Sequence, residues 1–91
     1  MKPLISVTEL AGLIDEPDLV IVDCRHQLAD TKWGRAAYGV GHLPDAVFLH
    51  LDDDLSGRMT GNNGRHPLPD PQALARKLDQ IGIHNGTRVI A

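Results

Sequence analysis

The sequence predicts an α/β domain built on a parallel sheet flanked by helices. Three observations carry that prediction. The run Leu19-Val20-Ile21-Val22 is continuously apolar and ends in Asp23-Cys24-Arg25, which reads as a strand buried on both faces under covering helices. Two stretches, near residues 6–15 and 70–81, combine helix start signals with apolar residues spaced by three and four. Strands and helices then alternate β-α-β-α-β, the order that a parallel sheet with crossovers requires. In such sheets functional residues gather just beyond the carboxyl ends of the strands. Asp23, Cys24 and Arg25 occupy that position on the first strand.

Bulk composition narrows the function classes. Ninety-one residues make one small domain or part of a larger one. The hydrophobic fraction of 42% is that of a globular chain, and with one Phe, one Tyr and one Trp the core must rest on aliphatic side chains. A net charge of -3 without a basic block argues against nucleic acid or an anionic membrane as partner. A single cysteine cannot close an internal disulfide and fits a reducing compartment. The first residues lack the apolar core of a secretion signal, and no run reaches membrane-spanning length. A cytoplasmic location is expected.

Taken in order, Leu4 and Ile5 suit either a short edge strand or a hydrophobic staple. Ser6 and Glu9 form a capping box, so a helix is expected to about Asp15 with Val7, Leu10, Leu13 and Ile14 on its apolar face. Pro17-Asp18 turns the chain into the buried strand. Trp33 to Tyr38 suits a short helical turn, His42-Leu43-Pro44-Asp45 a tight turn, and Ala46-Val47-Phe48-Leu49 a second buried strand. An irregular segment runs from His50 to Pro69, a length that is usually functional. Asp70 as N-cap and Pro71 at the first helical position open the second helix, whose stripe is Leu74, Ala75, Leu78 and Ile81. Gly82 is its left-handed cap, Asn85-Gly86 a turn, and Thr87 to Ala91 a third strand of central, parallel type. A central strand needs neighbours and a following helix. The reading is therefore of a sheet truncated after about the third strand, with exposed apolar surface that favours self-association.

Three motifs stand in order along the chain: Asp23-Cys24-Arg25 at a strand end, Tyr38-Gly39-Val40-Gly41-His42-Leu43-Pro44-Asp45-Ala46, and Gly64-Arg65-His66-Pro67-Leu68-Pro69 before a capped helix. Together they resemble the rhodanese (sulfurtransferase) superfamily. The first is similar to its Asp-x-Arg signature. The second is similar to its aromatic, three spacers, His, apolar, Pro, Gly, Ala pattern, with Asp45 where the family usually has Gly. The third looks like the N-terminal module of tandem thiosulfate or 3-mercaptopyruvate sulfurtransferases. The resemblance implies an incomplete rhodanese-like domain over residues 1–91. It also implies a parent enzyme that carries sulfur from thiosulfate or mercaptopyruvate as a cysteine persulfide. The cysteine loop would belong to a second rhodanese module, the implied partner. This chain alone would then be inactive. The alternative is a non-enzymatic rhodanese-like interaction or regulatory module, and a third reading is a phosphatase of the rhodanese-like type.

Candidate residues divide accordingly. Cys24 is the only thiol, but a nucleophile needs a lowered pKa, and a buried structural cysteine is favoured. Asp23, Arg25, His42 and Pro44 are favoured as scaffold: a carboxylate taking loop amides, a guanidinium tying two loops, and an imidazole fixing a turn. By the resemblance, Asp52 and His66 match an acid and a His proposed in mercaptopyruvate-using relatives to meet a hydroxyl of the second module's catalytic loop. An acid orienting an imidazole is sound general-base logic, set against a solvated acid and an ordinary turn histidine. Arg65 is a candidate for binding an anionic sulfur donor, or a surface arginine. His42, His50, His66 and His84 with Asp52 to Asp54 match no metal-ligand spacing. No metal and no cofactor is expected.

Overall fold

The computed structural model describes residues 4–91, so the first three residues of the stretch read for a secretion signal lie outside it. The chain forms α1 (Val7–Leu13), β1 (Leu19–Asp23), α2 (Trp33–Val40), β2 (Val47–Phe48), α3 (Pro71–Gln80) and β3 (Arg88–Ile90). The three strands make one sheet in the order β2-β1-β3, and both pairings are parallel. Val22 faces Val47 across one ladder and Ile21 faces Ile90 across the other. The expected α/β parallel sheet is thus present. Leu4 and Ile5 form no strand and are exposed.

Local chemistry explains the helix ends. The Ser6 side chain accepts the Glu9 amide at 3.1 Å, and the Glu9 carboxylate accepts the Ser6 amide at 3.3 Å, which satisfies two orphan donors of α1. Asp70 accepts the Ala73 amide at 3.0 Å at the start of α3, with Pro71 behind it. At the far end Ile83 N–H donates to Leu78 C=O at 2.9 Å and Gly82 N–H to Asp79 C=O at 3.1 Å. With Gly82 at φ +90°, this is a Schellman motif, which needs a residue that tolerates the left-handed region.

The core lies at the carboxyl half of β1. Ile21, Val22, Ala46 and Leu49 are buried, together with one polar side chain, His50. Several expectations are corrected here. β1 is not buried along its whole length: Leu19 and Val20 are only half-buried. Val7 is 85% exposed and plays no part in the α1 stripe, which rests on half-buried Leu10, Leu13 and Ile14. Ala75 is likewise exposed while Leu74, Leu78 and Ile81 turn inward. β3, expected as a strand of central type in a sheet that lacks its further neighbours, does stand at the edge of the described sheet, because β1 takes both neighbours; Val89 is 45% exposed. β2 is shorter than the run Ala46 to Leu49, since only two of its residues pair with β1.

Gly34 lets α2 lie against the end of β1. A Cβ there would stand 2.0 Å from the Arg25 carbonyl oxygen, so no other residue fits without moving the backbone.

Candidate functional site

Two clusters form beyond the carboxyl ends of the strands. The first begins where β1 stops. The Asp23 carboxylate accepts the Arg25 amide at 3.1 Å and the Arg25 Nε at 3.0–3.1 Å, and pairs with Arg25 Nη2 at 2.9 Å. The hydrogen bond from the Arg25 side chain outweighs partial desolvation and holds the Asp23 carboxyl below the usual carboxylate range. Arg25 Nη2 also donates to the Gly41 carbonyl at 2.7 Å, so one guanidinium joins the strand end to the segment after α2.

That segment is built by Tyr38 and His42. Their rings stack with centroids 3.6 Å apart and planes 8° from parallel. The His42 Nδ1 is 2.7 Å from the Tyr38 carbonyl; a carbonyl only accepts, so Nδ1 carries the proton. The Tyr38 hydroxyl donates to the Ala46 carbonyl. Between them, Ala46 N–H donates to Leu43 C=O at 3.1 Å and Asp45 has φ +60°. A turn with proline second and a positive φ third is of type II. Glycine favours that third position, and Asp is among the few residues that tolerate it.

Cys24 lies in this cluster and is exposed, contrary to the expectation of a buried cysteine. The ladder of β1 ends at Asp23, so Cys24 has already left the packed part of the strand. Although the residue is exposed, partial burial of its sulfur and the neighbouring Asp23 charge push its thiol pKa up, the opposite of what a nucleophile needs. Asp23, Cys24, Arg25 and His42 line one hollow of about 670 Å³ with apolar Leu10, Ile21 and Ile90. Pro44 is exposed, within the turn above it.

The second cluster grows from His50, which is 6% exposed. Its Nε2 is 2.6 Å from the Thr31 carbonyl, while Nδ1 accepts the Asp52 and Asp53 amides at 3.0 and 3.3 Å. These partners assign the proton to Nε2. The His50 amide donates to Asp54 Oδ2 at 2.6 Å, and Asp54 pairs with Lys77 of α3 at 2.8 Å. Burial alone would raise the Asp54 carboxyl, but the His50 amide and Lys77 outweigh it and hold it below the usual range. A buried imidazole thus shapes the turn that presents Asp52.

The opposite wall arrives through Gly57. Its amide donates to the Pro67 carbonyl at 2.8 Å, closing the loop on itself. A Cβ on Gly57 would be 2.5 Å from the Leu68 carbonyl oxygen. This close approach brings His66 to Asp52, with Nε2 2.9 Å from Oδ1. Asp52, Arg65 and His66 line a cavity of about 250 Å³ with His26, Ser56 and Met59. The structure therefore joins Asp52, His66 and Arg65 in one site, and Asp23, Arg25 and His42 in another. An imidazole held by a carboxylate at one nitrogen can exchange a proton at the other.

The family model for the rhodanese-like domain matches residues 6–91. The chain belongs to the rhodanese-like family. It is 42% identical over 88 residues to a Pseudomonas aeruginosa protein named probable 3-mercaptopyruvate sulfurtransferase, covering 96% of this chain and 31% of the relative. A Mycobacterium tuberculosis protein, putative thiosulfate sulfurtransferase SseB, is 44% identical over 88 residues, with the same coverage. The Arabidopsis thaliana protein named thiosulfate/3-mercaptopyruvate sulfurtransferase 1, mitochondrial, is 34% identical over 90 residues, covering 98% of this chain and 23% of the relative. This rhodanese-like chain spans about a third or less of the length of the curated relatives it matches. No solved structure matches it.

His26 is not singled out by the sequence, and Gly57 reads there only as a turn residue. His26 lies three positions past the end of β1 and enters the cavity wall. Gly57 has no positive φ among the described glycines and is required by a neighbour distant in sequence. The position of His26 after a buried strand was the one available signal.

Proposed function

We propose that this chain serves as the N-terminal, non-catalytic module of a tandem sulfurtransferase that takes sulfur from 3-mercaptopyruvate or thiosulfate as a cysteine persulfide. The observation that carries the reading is the Asp52–His66 contact at 2.9 Å inside a cavity shared with Arg65. In this reading Asp52 orients the His66 ring, His66 moves a proton for a hydroxyl presented by the second module, and Arg65 holds the anionic donor. Asp23, Arg25, His42 and Pro44 act as scaffold beneath it. The sulfur-carrying cysteine comes from the second module. The thiol of Cys24, raised by partial burial and by Asp23, supports placing the nucleophile elsewhere.

The test has two arms. The purified 91-residue protein and its Cys24→Ser variant are assayed for thiocyanate formation from cyanide with either donor; neither is expected to turn over. A chimera then replaces the corresponding 88 aligned residues of the Pseudomonas relative with this chain. In it His66→Ala is expected to lower mercaptopyruvate turnover by roughly 10²–10⁴-fold, the range for losing a general acid or base. Turnover by the protein alone that vanishes in Cys24→Ser, or a chimera indifferent to His66→Ala, overturns the reading.

A further inference from the structure

We propose that His26, Asp52 and His66 form a binding site for one divalent metal ion of the zinc class. One imidazole nitrogen of each histidine and one carboxylate oxygen all lie within 4.8 Å of one another. In a tetrahedral shell, metal–nitrogen and metal–oxygen bonds of about 2.0–2.2 Å place neighbouring ligand atoms about 3.3–3.6 Å apart. His66 Nε2 and Asp52 Oδ1, at 2.9 Å, are already close to that spacing. A His26 ring nitrogen, within 4.8 Å of both, completes the set.

The deciding observation is His26 itself. Both of its ring nitrogens are buried and neither has a hydrogen-bond partner. A buried imidazole carries at least one N–H and one lone pair, and leaving such groups unmatched is costly. Its ring is pinned edge-on between His50, at 5.3 Å and 85°, and His66, at 6.4 Å and 88°. His50 is locked by Thr31 and by two backbone amides, so it cannot turn to satisfy His26. The ring borders the same cavity as Asp52 and His66, where a cation can accept its lone pair.

The ligand chemistry selects the ion. Two imidazoles and one carboxylate suit zinc and its neighbours rather than calcium or magnesium, which prefer all-oxygen shells. Three protein ligands on a cavity wall leave a fourth position open to a cavity that Arg65 and Ser56 also line. The inference does not rest on sulfur transfer. It uses two side chains of that reading, and the ion would displace the proton shared between Asp52 and His66.

Titration calorimetry of the protein with Zn²⁺ alone tests it. One ion per chain is expected, with affinity reduced at least roughly tenfold in His26→Gln and in His66→Gln. The variant His84→Gln, which alters a surface pair with Asp79 at 3.0 Å, is expected to bind as the parent does. His26→Gln is decisive because His26 is outside the proposed proton relay. Should that variant fail to fold by circular dichroism, ring proton resonances of the parent protein replace it: Zn²⁺ is expected to shift His26 and His66 together and leave His84 in place. No heat of binding, as for a cavity holding only water, overturns the proposal. So does equal affinity in His26→Gln, or a shift confined to His84. Activity of the chimera without added metal reports on the sulfur-transfer reading separately.

Discussion

Replacing Asp54 by alanine removes the group that ties the His50 turn to α3. Two interactions are lost. The charge-assisted bond from the His50 amide is short, at 2.6 Å, and part-buried; such bonds contribute about 1.5–3 kcal/mol. The Lys77 pair spans 2.8 Å with side chains 34% and 18% exposed, and a pair of that exposure adds at most about 1 kcal/mol. The sum is about 1.5–4 kcal/mol, or about 6–30 °C in melting temperature for a domain of this size. Asp54→Asn keeps an acceptor for the His50 amide and loses only the charge, so about half that effect is expected. The pH dependence supplies an independent check. The folded carboxyl is held below its ordinary range, so its contribution is present above the unfolded pKa and is lost as pH falls through the folded one. Acid sensitivity should shrink in Asp54→Asn, with the Asp23 share remaining. Urea unfolding of the parent, both variants, Lys77→Met and the double variant separates the terms. Stability of Asp54→Ala within about 0.5 kcal/mol of the parent, the usual range for a neutral surface change, would refute the reasoning.

Three further outcomes are expected. Gly57→Ala drives a Cβ to 2.5 Å from the Leu68 carbonyl, so a cost of about 1–3 kcal/mol and faster hydrogen exchange of the residue-57 amide, which now donates to Pro67, should both be seen; an unchanged exchange rate counts against the loop closure described. Asp45→Gly relieves a φ of +60° and is expected to leave stability equal or raised by up to about 1 kcal/mol, while Asp45→Val lowers it in the same melting experiment. Cys24 should react with iodoacetamide more slowly than a free cysteine at neutral pH, and its rate should rise only at higher pH, because its thiol is pushed up; a faster rate at neutral pH overturns that assignment.

What could be read in the sequence was whatever depends on neighbours along the chain. The apolar run of β1, the Ser6/Glu9 box, Asp70-Pro71 and the Gly82 stop are local signals, and each marks a real element end. α2 runs on to Val40, two residues beyond expectation, since Gly39 occupies a helical position without breaking it. The exposure of Cys24 and Val7 depends on what lies across space from them, which spacing does not report. The pairing of Asp52 with His66 was suggested only by the family pattern. Its physical cause, a glycine contact between residues 57 and 68, is invisible to periodicity. His26 was passed over because its lack of partners is a property of the folded cavity.

The order β2-β1-β3 also carries a consequence for how the chain acquires its fold. β1 is made early in synthesis, yet Leu19 pairs with Arg88, about seventy residues downstream. Even its nearer partner begins at Val47. Both ladders are non-local, and loop-closure entropy must be met before either rewards the chain. Until Val47 emerges β1 is an apolar ribbon with two unsatisfied sides, and one side stays open until Arg88 emerges, while the short helices α1 and α3, of seven and ten residues, hold little structure without the sheet to pack on. Folding should therefore be slow and set by strand assembly. The nascent chain is most exposed to chaperones, and to misassociation, in the interval before β3 leaves the ribosome.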